Sequence, residues 1–130
     1  MYRIMDELTK KFKAKAIING ESIGQVASQT LSSMMTINNV TNMPIIRPVA
    51  CLDKLEIIRL ARLIDTYDIS ILPYEDCCTV FVPKHPVINP KLDKAILEEN
   101  KFNYQELIEE AINSINIINI TDDEIKNNLL

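Results

Sequence analysis

The sequence predicts an α/β fold with parallel strands, on three observations. Two short apolar runs, AKAIIN ending at Asn19 and the MPIIRP core of TNMPIIRP, have the brevity and β-branched content of buried strands. Each is followed by a segment with helical spacing and a capping residue. Strands that alternate with helices pack as parallel βαβ units, because a crossover helix returns the chain to the same sheet edge. Only two or three strands are predicted, about half of a doubly wound domain. The first helix has no strand before it.

Residues 2–13 open the chain as a helix, with Met5, Leu8 and Phe12 at i, i+3 and i+7. Lys10, Lys11, Lys13 and Lys15 follow, either as cations suited to a helix C-terminus or as RNA contacts. After Asn19 comes GESIGQVASQT, where Ser22 and Gln25 have the spacing of a capping box. That predicts a helix to about Ile37, with Val26, Leu31 and Met34 or Met35 turned inward. The clearest helix is DKLEIIRLARLIDTY: Asp53 caps, Glu56 stands at N3, and Ile57, Leu60, Ala61 and Ile64 form its apolar face. The stretch from Asp68 to Pro90 is extended and proline-punctuated, with TVFV as a candidate strand. Asn89 and Pro90 read as N-cap and N1 of a helix to about Glu99. Asn103 caps a last helix with Leu107, Ala111 and Ile115 inside, and the tail after it is predicted to fray.

A chain of 130 residues is one domain or a piece of one. The net charge of −4 argues against nucleic-acid binding by this segment alone. Three cysteines, two of them adjacent, are no secreted disulfide framework, so a reducing cytoplasm is expected. No signal peptide is visible, and no apolar run approaches the roughly 18 residues of a membrane span. The only two glycines, Gly20 and Gly24, both lie in GESIGQVASQT, and no phosphate-cradling glycine loop is present.

Two stretches can carry chemistry. In GESIGQVASQT a glycine at a strand end lets a ligand approach the backbone. A helix N-terminus adds free N–H groups. Gln25 and Gln29, four apart, would share a helical face and suit a purine edge or a ribose. A plain capped helix, a ligand turn and a protein-binding surface all fit that stretch. In LPYEDCCTVFVPKHP, Cys77 and Cys78 sit beside Glu75 and Asp76, which would raise a thiol pKa unless Lys84, Arg47 or a helix terminus folds in. Structural thiols, a reactive thiolate and a metal ligand stay open there. Zinc is disfavoured by the lack of a C-x-x-C pair and the single His85. Cys51, just before a helix cap, reads as structural.

Taken in order, GESIGQVASQT, MPIIRP, LDKLEII and ISILPYEDCCTVFVPKHP resemble the tRNA 4-thiouridine sulfurtransferase family, from about Ile17 to Pro90. The resemblance implies the C-terminal half of a doubly wound, adenine nucleotide alpha-hydrolase-like PP-loop domain. Residues 1–120 would be the partial ATP-pyrophosphatase domain and 121–130 a tail. In this family ATP, with magnesium, adenylates a tRNA uridine, and a persulfide loaded by a cysteine desulfurase replaces the oxygen with sulfur. Some members also supply sulfur for thiamine's thiazole ring. The family's nucleotide contacts are similar to Gly20 and Gln29. Its sulfur-handling cysteine corresponds to Cys77 or Cys78, with Cys77 preferred. Asp53 matches the family's helix start.

The departures shape the expectation. The PP-loop S-G-G-x-D-S, the THUMP region that grips tRNA and a further Arg contact are absent, no rhodanese domain follows, and Cys51 replaces a usual Gly. The chain alone is therefore expected not to adenylate. A rival of another class is a non-catalytic remnant whose uncovered strand edges pair into a homodimer. A third reading, a thiol redox protein, requires a lowered Cys77 or Cys78 pKa.

Overall fold

In a computed structural model, residues 1–26, 29–74 and 87–119 are described. The predicted Cys77, Cys78, Lys84, His85, TVFV strand and C-terminal tail lie outside them.

Helix α1 spans Tyr2–Phe12 and closes on Lys13, whose φ of 54° is left-handed. Ala14 N–H then reaches back to the Thr9 carbonyl at 2.9 Å, satisfying an otherwise orphaned helix end. Strand β1 is Ile17–Ile18 and β2 is Ile45–Ile46. They pair in parallel with Ile17 opposite Ile45, as the sequence predicts. Ile17 N–H bonds the Pro44 carbonyl at 2.9 Å and Asn19 N–H the Ile46 carbonyl at 3.1 Å, so the pairing runs past the strands to Asn19. Ile17 and Met34 are the buried hydrophobic residues among those described.

Helix α2, Leu31–Asn38, starts later than the sequence predicts. Thr30, not Ser22, is its cap: Thr30 Oγ1 accepts from Ser33 N–H at 3.1 Å. Two local facts displace Ser22. Its hydroxyl is buried and donates to the Leu52 carbonyl at 3.1 Å. Gly24 has φ +76°, a left-handed turn that no right-handed helix contains. Gln25 and Gln29 therefore share no helical face, and Val26, Leu31 and Met35 are exposed while Met34 alone of the predicted set is buried.

Helix α3, Lys54–Leu63, has its predicted start: Glu56 N–H donates to Asp53 Oδ1 at 2.9 Å and Asp53 N–H to Glu56 Oε2 at 2.8 Å. Ile57 and Ala61 are half-buried, but Leu60 and Ile64 are exposed. The helix ends at Leu63, short of the predicted Tyr67, because Asp65 is left-handed; the short α4, Tyr67–Ser70, then makes residues 68–70 helical where extended chain is predicted.

Helix α5 spans Leu92–Glu99, with Lys91 rather than Asn89 as its cap residue. Residues 88–90 are committed to α2 instead. The Ile88 carbonyl accepts from Thr30 Oγ1 at 3.0 Å and the Pro90 carbonyl from Ser32 Oγ at 3.1 Å. Helix α6, Tyr104–Asn113, follows Asn103 as predicted, though the Asn103 side chain accepts no backbone N–H and instead donates its amide to the Glu106 carboxylate. Its inner stripe is Tyr104, Ile108, Ala111 and Ile112. Leu107 and Ile115, predicted inside, are exposed.

The face of α1 also differs from expectation. Of the predicted residues Leu8 is half-buried but Met5 and Phe12 are exposed, and Tyr2, Arg3, Ile4, Asp6 and Thr9 turn inward instead. A polar inner face is stable only when satisfied, and this one is. Arg3 grips Glu99 with two bonds of 2.7 and 2.6 Å and lies 4.7 Å over the Tyr104 ring. The Asp6 carboxylate accepts from Thr41 and from Lys10. The chain's first helix is thereby tied to its last two.

Candidate functional site at the strand ends

In parallel sheets, ligands gather where strands end and helices begin. Here both strands deliver polar residues to that edge: Asn19, Gly20 and Glu21 after β1, and Arg47 after β2. Arg47 Nε donates to Glu21 Oε2 at 2.7 Å. Its Nη2 donates to Asn38 Oδ1 at 2.7 Å and to the Tyr2 hydroxyl at 3.2 Å. That hydroxyl also accepts from Asn19 Nδ2 at 2.5 Å and faces Glu21 Oε2 at 3.5 Å. Asn19 Oδ1 accepts from Glu21 N–H at 3.1 Å. The Arg47 and Glu21 side chains are only 13% and 16% exposed, so the pair works at reduced dielectric.

Burial, followed by the neighbouring Glu21 carboxylate, pushes the Tyr2 phenol above its usual range. For Arg47 burial opposes the charge, but the bonds and charges of Glu21 and Tyr2 outweigh it and raise the guanidinium further. Tyr2 is therefore a neutral phenol and Arg47 a cation near neutral pH.

Gly20 stands in the middle of these residues and is itself exposed. A Cβ added there would meet nothing within 4 Å, and its φ is not left-handed. Neither packing nor backbone conformation of this chain asks for glycine. What glycine leaves at that point is room over the strand end. Gln29 closes the same loop: its carbonyl accepts from Gly24 N–H at 2.8 Å and its N–H donates to the Val26 carbonyl at 2.9 Å. Its side-chain Oε1 is buried and has no hydrogen-bond partner among the described residues. A buried amide oxygen without a donor costs free energy until something donates to it.

Gly20 thus leaves open backbone at the strand end, and Gln29 holds a buried acceptor without a partner among the described residues. The structure places the two residues on one loop but closes Gln29 onto Gly24, not onto Gly20. Beside them a cavity of about 580 Å³ opens between α1 and α6, reaching the strand ends through Asn19 and Glu21; neither Gly20 nor Gln29 lines it. Among the described residues no group of three His, Cys, Asp or Glu converges to hold a metal. Cys51 is exposed and unpaired, and no described helix is long and apolar enough to cross a membrane.

Sequence reasoning missed Tyr2, Asn38 and the Glu21–Arg47 pair. The available signal was positional: one acid and one base, each within three residues of a strand's carboxyl end.

The family described as thiamine biosynthesis protein (ThiI) matches residues 1–104. This chain belongs to the ThiI family. A probable tRNA sulfurtransferase of Streptococcus equi subsp. equi is 56% identical over 93% of the chain, which covers 30% of that relative. One from Streptococcus pyogenes is 52% identical over 98% of the chain, covering 32% of the relative. Among solved structures, a 4-thiouridine synthetase–RNA complex with bound ATP matches 88% of this chain and 30% of its own. There the TM-score is 0.81 and the identity 42%. The chain thus spans about a third of the length of the ThiI-family proteins that it matches.

Proposed function

We propose that this chain is the distal part of the PP-loop ATP-pyrophosphatase domain of a tRNA 4-thiouridine sulfurtransferase. The observation that carries this is its likeness, over 88% of its length, to a 4-thiouridine synthetase complexed with RNA and ATP. The domain comprises residues 1–120, with 121–130 as a tail, and its two parallel strands are the distal part of a doubly wound sheet. Gly20 leaves room for the nucleoside, and Gln29 Oε1 accepts from it. Cys77 or Cys78 handles sulfur received from a cysteine desulfurase. ATP, with magnesium, supplies the adenylyl group that turns a uridine carbonyl oxygen into a leaving group. The enzyme works in the cytoplasm, and a role in thiazole synthesis follows the family.

This chain alone has no PP-loop to hold the phosphates. Incubated with ATP, unmodified tRNA and a persulfide donor, it is expected to form no 4-thiouridine. The remaining portion of the Streptococcus equi relative, added as a separate chain, is expected to restore formation that neither chain shows alone. Replacing Cys77 or Cys78 by Ser, one of the two, is expected to abolish it. Product from this chain alone, or none from the pair, would contradict the assignment.

One observation favours the second reading, a dimerisation module. Among the described residues Leu31, Met35, Leu55, Leu63 and Ile64 are each at least 65% exposed. Apolar side chains left open in this way mark a surface that a partner can cover. A homodimer covers part of it, and light scattering at micromolar concentration should report twice the chain mass. A stable monomer would argue for the missing part of the domain as the natural cover.

A further inference from the structure

We propose that Arg47 is the positioning residue of the nucleotide turn, holding Gly20 in place through both of its chain neighbours. This rests on the reading that Gly20 faces a nucleotide. The geometry is a closed ring of hydrogen bonds. Arg47 Nε bonds the Glu21 carboxylate, Glu21 N–H bonds Asn19 Oδ1, Asn19 Nδ2 bonds the Tyr2 hydroxyl, and that hydroxyl accepts from Arg47 Nη2. Gly20 is the one residue between Asn19 and Glu21, so the ring passes on either side of it.

Glycine is the residue least able to hold its own conformation, because it has the most backbone freedom to lose. A binding turn built on an exposed glycine therefore needs its order imposed from outside. The ring supplies that order without filling the space over Gly20, which stays open to 4 Å. It also ties together elements far apart in sequence. Arg47 follows β2, Tyr2 begins α1 and Asn38 ends α2, to which Arg47 Nη2 donates at 2.7 Å. The two strand ends and two helix ends are thus fixed relative to each other at the point where the ligand sits.

An arginine is needed for this, not merely a cation. Its planar fork sends Nε toward Glu21 while Nη2 reaches Tyr2 and Asn38; a lysine ammonium can neutralise Glu21 but cannot span the same directions. A role in positioning therefore separates from a role in stability.

Three variants test it: Arg47→Lys, Arg47→Met, and Arg47→Met combined with Glu21→Gln. The readouts are Tm, amide exchange at Gly20 and Glu21 without nucleotide, and ATP affinity. Arg47→Lys should keep most of the Tm, yet speed exchange at Glu21 and weaken ATP, each about tenfold, the scale of a lost charge-assisted bond. Arg47→Met should lower the Tm as well, since it leaves Glu21 unpaired. The double variant should recover Tm relative to Arg47→Met but neither the protection nor the affinity. Wild-type exchange at Glu21 in both Arg47→Lys and the double variant would overturn the proposal, as would undiminished ATP affinity in the double variant. Failure of the unaltered chain to bind ATP would count against the nucleotide reading alone; the exchange rates judge the ring in either case.

Discussion

The strand-end cluster and helix α3 are held by opposite means. Around Gly20, the Asn19–Tyr2, Arg47–Glu21 and Arg47–Tyr2 bonds join residues 17, 26 and 45 positions apart in sequence, and the charged pair is largely buried. Helix α3 has no buried residue, and its capping box joins neighbours three apart. Its Leu55, Leu60 and Leu63 side chains are exposed. One region is shaped by the rest of the chain. The other folds on local chemistry and offers its apolar side to whatever packs there. Function follows the first kind: a site requires residues from several elements at fixed separation.

Three changes should sharpen that contrast. Arg47→Met has the largest expected effect, about 3 kcal/mol of stability, because it strands a largely buried carboxylate. Chemical denaturation measures it, and combining it with Glu21→Gln should return most of the loss. Asp53→Ala should cost about 1 kcal/mol, the usual loss of a cap. Its effect on amide exchange should stay within α3 and leave Glu21 unchanged. Spread of that effect to the strand ends would break the distinction between the two regions.

The smallest effect concerns pH. Bonding to Arg3 holds Glu99 below its ordinary value of 4.5, and bonds from Thr41 and then Lys10 hold Asp6 below 3.8. A carboxylate whose folded pKa is depressed contributes stability above its unfolded value, and loses it as pH falls through the folded one. Stability should therefore be level near neutrality and decline as pH drops below about 4.5. Glu99→Gln should lower the neutral plateau and flatten the decline. An unchanged acid limb in that variant would remove Arg3–Glu99 from the account of how α1 is tied to α5.

What could be read in the sequence has the same division. The Asp53 capping box, the parallel pairing of the two isoleucine runs and the existence of every described helix but the short α4 follow from spacings of a few residues. The start of α2 did not, because Ser22 has the local signature of a cap while its hydroxyl is spent on Leu52, thirty residues away. The inner face of α1 was misread because Asp6, Thr9 and Tyr2 are polar, and only their distant partners make it possible to bury them. The readings of Gly20 and Gln29 rest on family resemblance, not on a local spacing. The ring that frames Gly20 was not, since no local pattern joins Tyr2 to Arg47.

The most direct measurement is the thermal stability of the chain with increasing ATP, set beside the same titration of Gln29→Ala. A ligand that binds only the folded state raises Tm with concentration. The account predicts a rise for the unaltered chain and none for Gln29→Ala. An equal rise in both, or no response in either, would contradict a nucleoside site at this turn.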